Sequence, residues 1–519
     1  MAADKQFERT RMAHNTLLLY VRMLLVTLVS LYTSRIVLRE LGVDNYGIYS
    51  AVGGFVTSFT LLSGSLSTAI SRFLTYALGQ RVSMQRLSQI FSTALFVQLL
   101  LGGVILLVGE SFGVWFVGHK LVIPPERLTA AYWVLHCSLA AFVVGLIGIP
   151  YQALIIAHEK MSAFAYISVL EVVLKLVIAY ALVVGHADRL KLYATLMLLV
   201  SVGVRLLYVI YCRRRWPDCR VRWTWDASLM KQIGAFAGWN SFENGSYILS
   251  TSGMNVMINT FFGVVVGAAR GIALQVEYAV MGFVQNFMTA LNPQITKSHA
   301  AEEHTYTQQL VFSGAKYAYF LMLLVALPLI LECRYVLQLW LGEFPAEAVL
   351  FVQCTLGVAL LTVLSQTLVT LIFATGKIRN SQLIIGSLGL VAFAFTGWLF
   401  AHGAPTAVCY AVYGGVALLQ LIIRLSILHR LVQLPVGGFV REVLCRVVVV
   451  TLLALLLPLG LQHLLPTTTA ASWLVMVGAL FSTSVVALYV GMNGRERQTL
   501  VQLFGKIFRR QEVARQPKC

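Results

Sequence analysis

HNTLLLYVRMLLVTLVSLYTSRIV, residues 14–37, decides the class of this chain. A hydrocarbon core is crossed by roughly 20 apolar helical residues, and this stretch is that long with only two arginines, Arg22 and Arg35, inside it. The design recurs outward along the whole chain. Further blocks stand near 45–75, 86–109, 128–157, 161–184, 190–212, 232–260, 264–292, 306–331, 347–375, 379–401, 406–430, 440–461 and 470–491. Only 12% of the residues are charged, about half the share of a soluble chain, and mean hydropathy is +0.79. The expected fold class is an all-α polytopic membrane protein of about 14 transmembrane helices.

The net charge of +18 raises the question of nucleic acid, and its distribution answers it. Basic residues alternate from side to side of the spans. One side holds Lys5, Arg9, Arg11, Arg81, Arg86, the 213–231 segment, Lys377, Arg379, Arg430, Arg441 and the C-terminal tail, about 24 in all against about 6 opposite. That asymmetry is a topology signal. It predicts both termini in the cytoplasm, as an even span count requires, and no nucleic-acid partner. The N-terminal MAADKQFERTRMAHN is polar, with no cleavage site before the first span, and reads as a cytoplasmic tail. The eight cysteines form no CxxC or CxxH pair, so neither a disulfide framework nor a zinc site is expected.

The 213–231 segment, RRRWPDCRVRWTWDASLMK, places Trp216, Trp223 and Trp225 beside arginines, as suits a headgroup layer. It divides the chain into spans one to six (1–212) and spans seven to twelve (232–430), followed by a final pair (431–491) and a basic tail (492–519). In that tail Leu500, Leu503, Phe504, Ile507 and Phe508 share a helical face away from Lys506, Arg509 and Arg510; it suits either a helix lying on the inner leaflet or a plain positive-inside anchor. An internal echo supports the division: ELGVDNYG follows the first span and FFGVVVGAARG the seventh, each with a Gly-Val turn at its outer end. Repeats of this kind place a transport site between the halves.

No GxxxxGK[ST] loop and no HExxH is present, and the outer connections are too short for a catalytic domain. We therefore expect no enzyme, no cofactor and no metal, and look for function in polar residues of the spans. The seventh, WNSFENGSYILSTSGMNVMINT (239–260), carries Asn240, Glu243, Asn244, Ser246, Ser250, Ser252, Asn255 and Asn259. Lipid would leave these unsatisfied, so they face a watery cavity or hydrogen-bond to neighbouring helices. In the eighth, Arg270, Glu277, Gln285 and Asn292 fall within one narrow arc at 100° per residue. Arg270, near the outer end, could snorkel to the headgroups; Glu277 lies roughly 10 Å deeper. Arg22, Arg35, Arg72, Arg205 and Lys316 add basic charge within the spans, and Glu171 and Lys175 are spaced to neutralise each other. Glu243 and Glu277 are candidates for proton or cation coupling, or simply for holding Arg270 in place. The basic excess suits an anionic ligand.

The stretch from Asn15 to Val56, with LSTAISRFLTYALG, LVIPPERLTAAYWV, IPYQALIIAHEKMSAFAYISVLEVVLKL, FAGWN, AARGIALQV, LNPQITKS, LQLWLG and ATGKI, resembles the polysaccharide-export and O-antigen-type lipid-linked oligosaccharide flippases of the multidrug/oligosaccharidyl-lipid/polysaccharide (MOP) superfamily. The resemblance runs from about residue 14 to 380, and beyond that lies in hydropathy. It implies two six-helix lobes around a central cavity, plus two helices, in a MATE-like arrangement. It implies an inner-membrane protein that moves a polyprenyl-pyrophosphate-linked oligosaccharide to the periplasmic leaflet by alternating access, alongside a polysaccharide polymerase or export machinery. It also implies cavity arginines, at Arg22, Arg35, Arg72 and Arg270; Glu277 departs from the smaller polar residue expected there. Two rivals remain: a multidrug/cation antiporter of the same superfamily, with an acidic cavity, and a membrane glycosyltransferase or ligase, with a large external loop.

Overall fold

The computed structural model describes residues 2–121, 123–184, 188–216, 226–466, 468–494, 496 and 497, and these form helices without a strand. Trp223, Trp225 and the tail helix expected around Leu500 to Arg510 lie outside the described residues. Twelve helices there are long and apolar enough to cross a membrane. Two further helical passes, 43–79 and 227–262, stand where the second and seventh spans are expected and are not among the twelve. Side chains such as Leu28, Leu107, Val264, Leu456 and Phe481 are well exposed. In water so much outward apolar surface would be a liability; against lipid tails it is the ordinary state.

The first helix, α1 (Ala2–Thr57), changes direction at Gly42, whose φ of 76° and ψ of 164° are non-helical. Gly263, between α8 (Met254–Phe262) and α9 (Val264–Ala300), adopts almost the same pair, 87° and 170°. This region of backbone space is reserved for glycine. The two Gly-Val turns of the sequence echo therefore share one backbone geometry. The second pass breaks at Ser58–Phe59 before α2 (Thr60–Gly79), where Thr57 and Ser58 both return their hydroxyls to the Gly54 carbonyl, which loosens the helix ladder.

The chain divides into two compact units. One runs Leu17–Asn244 and contains α3 (Met84–His119), α4 (Leu128–Ala157), α5 (Met161–Val184), α6 (Arg189–Arg215) and most of α7 (Ala227–Ile248). Helix α4 is its axis, packed against α2, α3, α5 and α6. Val134, Leu135, Leu139 and Leu146 meet Ile48, Val52 and Val56 beyond the Gly42 turn and Ile105 and Val117 of α3. At the end of α6, Trp216 stacks on His158, ring centroids 4.3 Å apart. Asp226 caps α7 through the Ser228 and Leu229 amides and holds Arg86 at 3.0 Å. Those contacts, the Leu229 amide first and the guanidinium next, keep its carboxyl below the ordinary carboxylate range.

The other unit comprises the segment through Thr16 and everything from Gly245. Its axis is α10 (His304–Leu331), which packs against α9, α12 (Glu347–Val363), α17 (Cys445–Leu464) and α18 (Thr469–Val486). Lys316 of α10 is 1% exposed, and its ammonium meets both carboxylate oxygens of Glu496 at 3.0 and 3.1 Å. Ser313 and the Asn493 amide donate to the same carboxylate. Burial alone would raise that carboxyl; the Asn493 amide and the Lys316 charge overcome it and hold it below its ordinary value.

Candidate functional site

Within the unit from Gly245, the Gly263 turn starts α9 and brings it against α8, where a side chain at Gly267 would collide with Asn259. Two turns into α9, Arg270 is only 5% exposed. It is enclosed by protein and does not snorkel. Its guanidinium lies 5.6 Å from the ring of Tyr410 on α15 (Val408–Val432). The Tyr410 hydroxyl faces Thr355 of α12 and Arg270, and the Tyr413 hydroxyl faces Ser250 of the π turn Leu249–Gly253. None of these approaches is a completed hydrogen bond: Arg270 Nε, both tyrosine hydroxyls, Thr355 Oγ1 and Asn255 Oδ1 are buried without a partner among the described residues. Ser250 spends its own hydroxyl on the Gly389 carbonyl.

Glu277 is half-buried two turns further along α9, where it acts electrostatically on Tyr247 and Tyr278. It stays beyond ion-pair distance of Arg270: no pair within 4 Å joins them. The stripe expected on this helix therefore has four different surroundings. Arg270 is buried, Glu277 half-buried, Gln285 exposed, and Asn292 accepts the Thr370 hydroxyl at 2.8 Å. Chemically, a buried guanidinium ringed by hydroxyls with unused capacity suits an anion or a polyhydroxylated ligand; a guanidinium keeps its charge in such surroundings and forks onto phosphate oxygens.

The remaining predicted residues lie in the unit Leu17–Asn244, apart from Asn255. Arg22 of α1, half-buried, covers the Phe164 ring at 4.5 Å, with Glu171 in electrostatic reach. Glu171 pairs with Lys175 at 2.8 Å, the mutual neutralisation their spacing predicts. Arg72 sits among the rings of Phe73 and Tyr76, at 4.6 and 4.8 Å, and the more distant Phe236. Phe236, Asn240 and Asn244 repeat along one face of α7; Asn244 donates to Ser65 of α2 at 2.9 Å, and Asn240 is 4% exposed. In the other unit, Ser246 donates to the Gly386 carbonyl of α14 (Arg379–Ala401). Asn244, Ser246 and Ser250 are thus committed to helix packing, not to an open cavity. Glu243 is half-buried on α7 and is not without a partner. Arg35 is exposed and joins neither cluster.

Sequence reasoning missed Tyr410, Tyr413 and Thr355. The only available signal was hydroxyl-bearing residues in spans that otherwise score as apolar, and it does not say where a hydroxyl points.

No protein-family profile matches the chain, and no curated protein matches it. Solved structures do. A MATE structure in the bent conformation superposes with a TM-score of 0.71 at 14% identity, covering 82% of this chain and 96% of that one. The outward-facing conformation of a multidrug resistance MATE family transporter of the MOP superfamily gives 0.67 at 15% identity, covering 80% and 93%. A MOP superfamily transporter from Pyrococcus furiosus, for which a reverse polarity of the binding pocket suggests a different function, gives 0.64 at 16%, again covering 80% and 93%. The chain is a multi-pass membrane protein with the MATE-like fold.

Proposed function

We propose that this chain is a transporter, and within the MATE-like fold a flippase that carries a polyprenyl-pyrophosphate-linked oligosaccharide from the cytoplasmic to the periplasmic leaflet of a bacterial inner membrane by alternating access, supplying a surface-polysaccharide polymerase or export machinery. The observation that carries the reading is Arg270. It is a guanidinium 5% exposed in a membrane-crossing helix, with no ion pair within 4 Å among the described residues and with hydroxyls around it that have no partner there. A lone charge at bilayer depth costs about 2.5–3.5 kcal/mol or more, which a bound anion offsets. A pyrophosphate is such an anion, and the flanking hydroxyls suit the sugars that follow it. The polyprenyl tail needs no protein path, because it remains in lipid.

A second reading, a multidrug/cation antiporter, has two observations in its favour: the fold is also that of a multidrug resistance transporter, and Glu277 offers a carboxylate. Against it, the only described carboxylate in the Arg22 cluster, Glu171, is already paired with lysine. The two readings separate in proteoliposomes containing the purified chain. The flippase reading requires protein-dependent loss of a fluorescent lipid-linked oligosaccharide from the outer leaflet, with no gradient-driven uptake of a cationic dye. Dye transport without lipid translocation would establish the antiporter instead.

A further inference from the structure

The unit from Gly245 also holds a cavity of about 470 Å³, at the end of its helices that carries Lys297, Lys377 and Arg430. Its walls come from three places. The last turn of α9 contributes His299, the start of α10 contributes His304, Thr305 and Gln308, and the end of α15 with the turn after it contributes Arg430 and Gln433. Leu371 and Leu434, 1% and 3% exposed, are its buried apolar lining. The turns that frame the space are fixed by their surroundings. Glu302 before α10 and Gln433 after α15 hold left-handed φ values of 59° and 54°, which non-glycine residues keep only where neighbouring contacts impose them. The His429 ring donates from Nδ1 to the Leu434 carbonyl at 3.0 Å, and Thr307 fastens α10 to α9 through the Ser298 hydroxyl at 2.8 Å. The lining is electrostatically one-sided. Arg430 and two histidines border the cavity, and no carboxylate does; Glu302 and Glu303 are exposed and lie outside the lining. Arg430 has no ion pair within 4 Å among the described residues. The side chains of His304, Thr305, Gln308 and Gln433 make no hydrogen bond there either.

We propose that this cavity binds a phosphate ester, its phosphate held by Arg430 with His299 and His304 and its esterified group against Leu371 and Leu434. A guanidinium presents a fixed fork to phosphate oxygens, and an imidazole offers an N–H in either protonation state. Donors from three separate elements suit a tetrahedral oxyanion with several oxygens; a planar carboxylate is satisfied by one arginine alone. The space is of small-molecule size, within the roughly 300–1,000 Å³ of such sites, and leaves room beside a phosphate for the group it is joined to. The same chemistry is presented by an anionic lipid headgroup and by a soluble phosphate ester. The site contains none of the residues assigned to transport and does not rest on the flippase reading.

The test uses the full chain in phosphatidylcholine nanodiscs with two probes that share one headgroup, glycerol 3-phosphate in solution and phosphatidic acid in the bilayer. Wild type binds at least one of them. Arg430→Met weakens that binding by at least about 10-fold, the effect of losing a charge-assisted hydrogen bond, and Arg430→Lys retains part of it. Arg430 is exposed, so the probe-free thermal midpoint of both variants is unchanged. Thr305→Trp keeps every charge but fills the space, and abolishes binding. Arg441→Met removes an exposed cation of the same unit that does not line the cavity, and leaves affinity unchanged. Binding of phosphatidic acid alone identifies a headgroup site, and binding of glycerol 3-phosphate a site open to the free ester; either supports the proposal. Binding of neither probe overturns it, as does undiminished binding in Arg430→Met or Thr305→Trp. Equal losses in Arg430→Met and Arg441→Met overturn it too, because a diffuse basic surface behaves that way. Arg270 is intact in every variant, so each of these failures leaves the flippase reading standing.

Discussion

Lys316 and Arg270 are both buried cations in membrane-crossing helices of the same unit, and they should respond to substitution in opposite ways. Lys316 is fully provided for: Glu496 meets it at 3.0 and 3.1 Å, and that carboxylate also accepts from Ser313 and the Asn493 amide. Glu496→Gln keeps the shape and removes the charge, leaving an ammonium 1% exposed without its counter-ion. Breaking a buried pair from one side costs about 3–5 kcal/mol, and the free energy of unfolding in detergent should fall by that amount. Replacing both partners, Lys316→Met with Glu496→Leu, should recover most of the loss, because paired removal leaves no orphan charge. The pH dependence has a definite sign. The folded carboxyl lies below its ordinary value, so its contribution is complete above the unfolded carboxylate pKa, about 4.3, and is lost as pH falls through the depressed folded value. Acidification below about pH 4 should therefore destabilise wild type more than Glu496→Gln. Equal stability of wild type and Glu496→Gln at neutral pH would refute the reasoning.

Two further outcomes follow from the turns and from Glu277. Gly263→Ala meets no atom within 4 Å, so its cost is that of the backbone alone, about 1–3 kcal/mol for a φ of 87°; Gly42→Ala should cost the same within error, and unequal thermal shifts would show that the two turns are not equivalent. Glu277→Gln should change the dependence of transport on pH or sodium while leaving folding intact, because Glu277 faces Arg270 electrostatically without pairing with it; a variant with wild-type dependence on both removes the coupling role.

The fold was legible because its cause is local. Hydropathy over some twenty residues reports a span, and a glycine before valine at the end of the first and of the seventh span reported a turn that only glycine adopts. The two passes that fail an apolarity test are the interrupted second and the polar seventh, the latter being where sequence reasoning placed function. The site was legible only in part. Arg270, Arg22 and the Glu171–Lys175 pair could be read from their cost or spacing. The setting of each could not, because it is made by residues far away in the chain: Tyr410 and Thr355 around Arg270, and Glu496 against Lys316. Asn244 shows the converse. A polar side chain in a span announces that it has a partner, but not that the partner is Ser65 on a neighbouring helix and not a ligand.

The central claim is that Arg270 is held unpaired in order to receive an anion. The direct measurement is translocation of a lipid-linked oligosaccharide by Arg270→Ala and Arg270→Lys in proteoliposomes, with insertion and thermal midpoint recorded for each. The account predicts that Arg270→Ala inserts normally, is at least as stable as wild type, and does not translocate, while Arg270→Lys retains a fraction of the rate. Wild-type translocation by Arg270→Ala would contradict it.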